Sequence, residues 1–483
     1  MTVSKSDPPY VDVLIVGAGI SGIDAAYRLK TRCPDKSWAI LEARERVGGT
    51  WDLFRFPGVR SDSDIFTLGF PFRPWRSDQS IVGGADIRQY VEDTAREFGI
   101  FDKIRFNERV KKADWSSKQA RWTVETTHGR YTCSFLYLAT GYYDYAGGFR
   151  PRWPGEKSFR GRIVHPQFWP EDLDVGGKRI AVIGSGATAV TLVPALAERA
   201  AHVTMVQRSP TYIVSWPGRD AVARRLQRLL PRAAAHRLTR WKNIILTIFM
   251  YGRARRSPAK VSQWIRDQAR AALPADYPVE RDFSPAYNPW DQRLCLVPDG
   301  DFFASVSSGK VSIATGVIQR FTPTGLHLES GEDVAADIVV TATGLVMKLA
   351  GGVALSLDGA PVHLPDRMIY KGMMLSGVPN LFVSFGYANA SWTLRSDLTA
   401  RSVCRLLNHM DRKGFAVCVP KADESLERRP VLDLSSGYVK RAEGLLPNQG
   451  DRQPWMVPQN YVRDFTAMTF SRIDEALEFV SKA

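Results

Sequence analysis

Two segments of this chain each run an apolar strand straight into a glycine-rich turn, an arrangement that few folds can use. Residues 11–22 read VDVLIVGAGISG, giving Gly17-x-Gly19-x-x-Gly22 before a helix-like stretch with Ile23, Ala25, Ala26 and Leu29. Gly17 permits the tight turn, Gly19 lets the backbone approach a pyrophosphate, and Gly22 lets the helix pack close on the strand. The helix N-terminus then presents unpaired N–H groups to phosphate oxygens. The next strand, Trp38–Leu41, ends in Glu42, twenty residues past Gly22, where an acid accepts hydrogen bonds from ribose hydroxyls. Residues 179–190 read RIAVIGSGATAV and repeat the pattern as Gly184-x-Gly186-x-x-Ala189. The strand after it leads into Gln207, Arg208 and Ser209, and Arg208 stands nineteen residues past Ala189, where the first unit has its acid. A guanidinium there suits a 2′-phosphate, and the Ser209 hydroxyl can help; the other reading of Arg208 is an ordinary surface arginine.

The expected fold is therefore α/β, with two Rossmann-like dinucleotide-binding domains, the first for an unphosphorylated ribose and the second for NADPH. A chain of 483 residues has room for both, since a single core of that size is rare. Two further apolar runs, LYLATGYY (136–143) and IVVTATGL (338–345), both end in Ala-Thr-Gly. They read as strands whose glycines turn the backbone out of one nucleotide domain toward the other, with an ordinary strand end as the alternative. These crossings divide the chain into a first domain of 8–145 plus 336–483 (including the C-terminal segment) and a second of 146–218 plus 276–335. Residues 219–275 interrupt the second domain.

That interruption is strongly basic. Between Arg219 and Arg270 stand fourteen lysines and arginines against only Asp220 and Asp267, so most of the chain's net charge of +15 lies there. The spacing Val222, Leu226, Leu229, Leu230 and the run Leu238, Trp241, Ile244, Ile245, Ile248, Phe249 predict amphipathic helices. Three readings follow: a helical insert over the active site with solvated charges, a membrane-surface patch giving peripheral association, or a nucleic-acid site. The last lacks any recognisable docking motif, so no nucleic-acid partner is expected. No run nears the ~18 apolar residues of a membrane span. The opening MTVSKSDPPY lacks the apolar core of a signal peptide, which points to a cytoplasmic protein. The five scattered cysteines form no Cys-x-x-Cys pair, which argues against a disulfide framework, a redox dithiol and a metal site.

Just before the second glycine loop, 159–170 read FRGRIVHPQFWP, a Phe-x-Gly-x-x-x-His-x-x-x-Trp-Pro pattern placing Phe159, Gly161, His165, Trp169 and Pro170 at fixed spacing. Two nucleotide folds joined by Ala-Thr-Gly crossings resemble the two-nucleotide-domain flavoproteins, and this motif resembles that of the class B flavoprotein monooxygenases. Trp169-Pro170 and GGTWDLFRFPGVRSD (48–62) match the Baeyer–Villiger branch. The segments FWPEDLD, QRSPTYIVS, YNPWDQRLCLVP, YKGMMLSG and NASWTL are closest to its ethionamide-activating subfamily.

The resemblance implies FAD in the first domain and NADPH in the second. It implies dioxygen as co-substrate and a small lipophilic ketone or sulfide as substrate. The implied activity is oxygen insertion into ketones through a flavin C4a-peroxide, giving esters or lactones, with sulfide oxidation beside it. The alternative is an enzyme whose main role is S- or N-oxygenation, such as sulfoxidation or thioamide activation. By the same resemblance Arg293 is the catalytic cation, Asp62 orients it beside the flavin, and Gly49 and Trp51 belong to the flavin site. Other readings are a surface-loop arginine and, within Ser61-Asp62-Ser63-Asp64, a helix cap. Arg60 either joins that cluster or forms a structural pair. His165 either acts on the nicotinamide side or serves as a hinge between folds, and Trp169 reads as packing. Gln292 stands where related chains have a lysine, so NADPH selection leans on Arg208.

Overall fold

The computed structural model describes residues 8–432 and 435–481. Strand Tyr10–Val16 lies inside a parallel sheet, between Trp38–Leu41 and Arg130–Leu138. Ile104–Arg105 extends the sheet on one side and Leu381–Val383 on the other. An antiparallel meander, Val110–Ser116 and Arg121–Thr126, branches from Arg130–Leu138. Successive strand residues face opposite sides. Val13 and Ile15 accordingly join the core beneath helices Ile20–Arg32 and Trp392–Lys413. Leu14 and Val16 join a second core with Trp115 and Trp122 from the meander. Both faces are covered, which is why the strand is continuously apolar rather than alternating.

The second sheet is wholly parallel, in the order Val311–Thr315, His202–Gln207, Arg179–Ile183, Ile338–Thr341, Arg162–Val164. The chain passes from the first sheet to the second after Leu138 and returns after Thr341. The two passages, Tyr143–Gly148 and Leu345–Met347, pair with each other as an antiparallel ribbon.

The basic segment forms three helices, Ala221–Leu229, Arg232–Arg256 and Pro258–Ala272. They depart from the simple amphipathic expectation in two ways. Arg240 is buried, donating to the carbonyls of Phe66, Thr67 and Gly69 at 2.8, 3.1 and 2.7 Å, where helix Ile65–Leu68 ends with unpaired carbonyls. Asn243 donates to Asp64 at 2.8 Å and His236 sits 3.2 Å from the Phe70 carbonyl. The long helix is thus fastened to the first domain by polar contacts. Conversely, Val222, Leu229, Leu238, Ile245 and Phe249 are exposed rather than buried.

Candidate functional site

The two glycine loops are built alike. Gly17 has φ +106°, and a Cβ there would lie 2.6 Å from the Ala139 carbonyl oxygen; Gly184 has φ +130°, and a Cβ there would lie 2.3 Å from the Ala342 carbonyl oxygen. The alanine of each Ala-Thr-Gly crossing therefore presses on the first glycine of its own loop, leaving no room for a side chain. A Cβ on Gly22 would meet the Gly17 carbonyl oxygen at 1.8 Å. Gly186 has open space around it, as a phosphate-facing residue needs, and Ala189 is buried in the second core.

Glu42 is buried at the end of Trp38–Leu41. Its two oxygens accept from the backbone N–H of Ala18 at 2.7 Å and of Arg44 at 2.9 Å. Burial raises its pKa. Each oxygen keeps a second lone pair for a ribose hydroxyl. Gly49 approaches Gly19, its Cβ position 3.2 Å from the Gly19 Cα, so the start of the 48–62 segment forms the opposite wall of the same cradle. Trp51 packs against a small core that includes Ile65, Phe66, Leu68 and Val82. The cleft between these walls runs from Gly17 past Gly49, Gly141 and Thr188 to Arg293. A glycine cradle that leaves no room for side chains and a buried acid with free lone pairs at the strand end fit FAD.

Arg208 and Ser209 are exposed beside the second loop, where the Ser185 hydroxyl donates to the Ser209 carbonyl at 3.0 Å. Arg208 has no ion pair among the described residues.

Arg293 and Asp62 meet at 3.2 Å. Both side chains line two cavities: the nucleotide cleft and a second beneath the helical insertion. Asp64, not Asp62, caps the helix Ile65–Leu68, accepting from the Thr67 N–H at 3.0 Å, which leaves Asp62 to face the arginine. The Asp62 carboxylate raises the guanidinium's pKa further, against the opposing effect of burial. The loop carrying Arg293 is held from both sides. Arg255 donates to Asp291 at 2.7 Å, and the Ser435 N–H and hydroxyl donate to the Asp291 carbonyl at 2.9 and 3.0 Å. Arg60 lines the same cleft as Asp62 and Arg293 and also pairs with Asp301 at 2.5 Å across the two domains.

The rare motif lies at the ribbon rather than beside Arg293. A Cβ on Gly148 would fall 2.0 Å from the His165 ring, so the histidine packs directly on the crossing strand. Gln167 donates to the Asp144 carbonyl at 2.7 Å, tying the same turn to the ribbon. Gly161 leaves its Cβ position 2.2 Å from the Asp337 carbonyl oxygen, and Phe159 meets Phe321 edge-on at 5.9 Å. Trp169, followed by Pro170, packs on the second domain's core with Phe54 and Val59. Burial lowers the His165 pKa, keeping the ring neutral near pH 7.

Several site residues escape motif reasoning. Tyr142 and Tyr143 share a hydroxyl–hydroxyl hydrogen bond of 2.7 Å, and Tyr142 stacks on Trp392 at 4.8 Å. The Trp392 indole donates to Ser21 at 2.8 Å beside the first glycine loop. Arg44 pairs with the buried Asp52 at 2.5 Å and fixes the turn below Gly49. The tyrosines follow Gly141 directly, which was the available signal; nothing marks Arg44.

With this geometry in hand, similarity to known proteins is extensive. The family described as pyridine nucleotide-disulphide oxidoreductase matches residues 14–217. The chain is 52% identical over 480 residues to "FAD-containing monooxygenase EthA" of Mycobacterium tuberculosis, covering 98% of both. It is 47% identical to "Putative FAD-containing monooxygenase MymA" of the same species, covering 98% of both. It is 43% identical to "Probable FAD-binding monooxygenase AlmA" of Acinetobacter baylyi, covering 97% of this chain and 95% of that one. Among solved structures, an oxidized steroid monooxygenase bound to NADP superposes with a TM-score of 0.77 at 22% identity, covering 98% of this chain and all of that one. Cyclohexanone monooxygenase from Rhodococcus sp. Phi1 bound to NADP+ gives 0.75 at 18% identity, covering 99% and 100%. At such identities the structures attest the fold.

Proposed function

The chain belongs to the FAD-containing monooxygenases, and from that premise we propose that it is an NADPH- and dioxygen-dependent Baeyer–Villiger enzyme. It inserts one oxygen atom into small lipophilic ketones, giving esters or lactones, and oxidises sulfides at the same site. The observation that carries the reading is the Arg293–Asp62 pair at the junction of the nucleotide cleft and the cavity under the insertion.

Bound flavin supplies the activation of dioxygen. The chain's residues supply the rest. Arg293 is a permanent cation with several N–H donors. Only Asp62 engages it among the described residues. Its remaining donors are free for negative charge on an oxygen at the junction, where preorganised donors count most. Asp62 sets the plane of the guanidinium. The cavity walls include Trp216, Leu246, Met250, Leu294 and Leu296 beside the polar Asp220, Lys242 and Asn243; the apolar part favours a lipophilic substrate and limits water at the junction. Arg208 and Ser209 receive the 2′-phosphate of NADPH, and His165 sets the relative position of the domains rather than transferring a proton.

The test is to supply the flavin-loaded protein with NADPH, dioxygen and parallel panels of ketones and sulfides, and to identify the products. Ester or lactone formed with matching NADPH consumption supports the reading. Sulfoxides without esters would move the function to heteroatom oxygenation, and hydrogen peroxide alone would refute oxygenation.

A further inference from the structure

Large apolar side chains on the insertion stand in solvent, among them Val222, Leu229, Leu238, Ile245, Phe249 and Trp264, with exposures of 49, 71, 48, 59, 62 and 39%. Scattered exposed leucines mean little, but these share three adjoining helices. Leu238, Ile245 and Phe249 recur at spacings of seven and four, so they form one stripe along Arg232–Arg256. Val222 and Leu229 recur at seven on Ala221–Leu229.

The same helices carry exposed cations without counter-ions. On the first helix, Arg224, Arg225 and Arg228 are exposed and make no ion pair among the described residues. On the second, the same holds for Arg232, Arg237, Arg253 and Arg256. Arg219, Arg255 and Arg270 are different: acids elsewhere neutralise them. A surface that stacks apolar bulk beside uncompensated positive charge is complementary to an anionic lipid interface. None of the described helices is long and apolar enough to cross a membrane.

The cavity leads to this surface. Val222 and Trp264 are exposed and also line it, so they stand at its rim. Leu246 and Met250 line it from the long helix, each one residue beyond Ile245 and Phe249 of the exposed stripe.

We propose that the helical insertion docks on an anionic lipid bilayer, its apolar stripe entering the headgroup boundary, so that the cavity leading to Arg293 opens toward the lipid and takes apolar substrate from it. The docking stands on the surface alone; the delivery of substrate rests on the oxygenation reading.

The experiment floats the flavin-loaded full-length protein with vesicles of phosphatidylglycerol mixed into phosphatidylcholine, and with phosphatidylcholine alone. Binding is expected only to the anionic vesicles and is expected to weaken with salt. Replacing one unpaired arginine, such as Arg237→Gln, lowers the partition coefficient about fivefold. The double variant Ile245→Glu/Phe249→Glu abolishes binding while its flavin content and NADPH oxidation match the parent protein, which shows that it is folded. Equal binding by parent and double variant, equal binding to both vesicle types, or no binding at low salt would each overturn the docking. So would a stable dimer whose interface is broken by the double variant, because a second copy would then cover the face. If vesicles bind but vesicle-dissolved ketones are turned over no faster than by the double variant, delivery fails while docking and oxygenation both stand.

Discussion

Replacing Arg293 by alanine separates oxygen transfer from every earlier step. The guanidinium spans the junction, has one partner in Asp62 at 3.2 Å, and has no other hydrogen bond among the described residues. The variant therefore leaves a single exposed-edge carboxylate without its ion pair and should fold. What it removes is one or two charge-assisted hydrogen bonds to developing negative charge, each worth about 1.5–3 kcal/mol. The loss of about 3–4 kcal/mol from the oxygen-transfer step corresponds to a rate lower by roughly 10²–10³. The glycine loops, Glu42 and Arg208 are untouched, so flavin content and the rate of flavin reduction by NADPH should stay within about threefold of the parent protein. Arg293→Lys keeps the charge but not the planar fork and should fall between the two. Asp62→Asn keeps one acceptor but loosens the guanidinium's orientation, with a loss of about tenfold. Rapid-mixing absorbance follows flavin reduction, and chromatography of ester product follows transfer. Ester formation by Arg293→Ala at the parent rate would refute the assignment, and an equal loss in flavin reduction would show that Arg293 acts on cofactor binding instead. Because Asp62 pushes the guanidinium's pKa further up, the parent's Arg293 contributes no titration in any ordinary assay range.

Three other perturbations test other parts of the molecule. Arg208→Gln should raise KM for NADPH by about 10- to 100-fold, the worth of one charge-assisted phosphate contact, with little change for NADH; steady-state kinetics with both cofactors decide it, and equal effects would end the 2′-phosphate role. Gly17→Ala forces a side chain into φ +106° and against the Ala139 carbonyl oxygen at 2.6 Å, so the purified variant should emerge from gel filtration nearly free of flavin; flavin absorbance equal to that of the parent would contradict the cradle. Burial, then Arg240, lowers the His236 pKa from 6.5 to about 4. The unfolded state thus binds the proton first as pH falls, so this contribution is complete above about 6.5 and is lost, by about 3 kcal/mol in all, as pH drops toward 4. Thermal melts of the parent and of His236→Gln between pH 7 and 4.5 should converge as pH falls, whereas parallel curves would show that His236 titrates normally.

The nucleotide folds were legible because their requirements are local. A positive φ, a close backbone approach and an acid at a strand end each restrict one residue type at one position, as at Gly17, Gly184 and Glu42. The meeting of Asp62 with Arg293 was legible only by resemblance, since nothing local in 48–62 points to 288–298. The structure supplies the missing step: Asp64 takes the capping position and leaves Asp62 free. The insertion was least legible. Periodicity located its helices but not their partners, because a stripe of leucines reads the same whether it faces protein or lipid. Arg240 illustrates the failure in the other direction. Its sequence neighbourhood marks it as one more solvated cation, yet it is buried because the carbonyls ending Ile65–Leu68 lack donors and a guanidinium can reach three of them at once.

The 159–170 motif lines neither the nucleotide cleft nor the Arg293 junction, and its geometry shows what it constrains instead. The two domains are joined covalently only through the Tyr143–Gly148 and Leu345–Met347 ribbon. Any rotation of one sheet on the other must pass through that ribbon. His165 packs against it at Gly148, and Gln167 holds it at Asp144; elsewhere at the domain boundary Arg60 grips Asp301. Gly161 is confined by the Asp337 carbonyl oxygen, which fixes where the turn bearing His165 begins. A side chain at 148 or 161 would not reach either nucleotide site, but it would displace the ribbon and so change the distance between them. Hydride transfer depends steeply on that distance, and a misplacement of about 1 Å can cost ~10²-fold. The motif's constraint is therefore on the separation of the two glycine loops, which stand on different sheets yet meet in one cleft through Gly17 and Thr188.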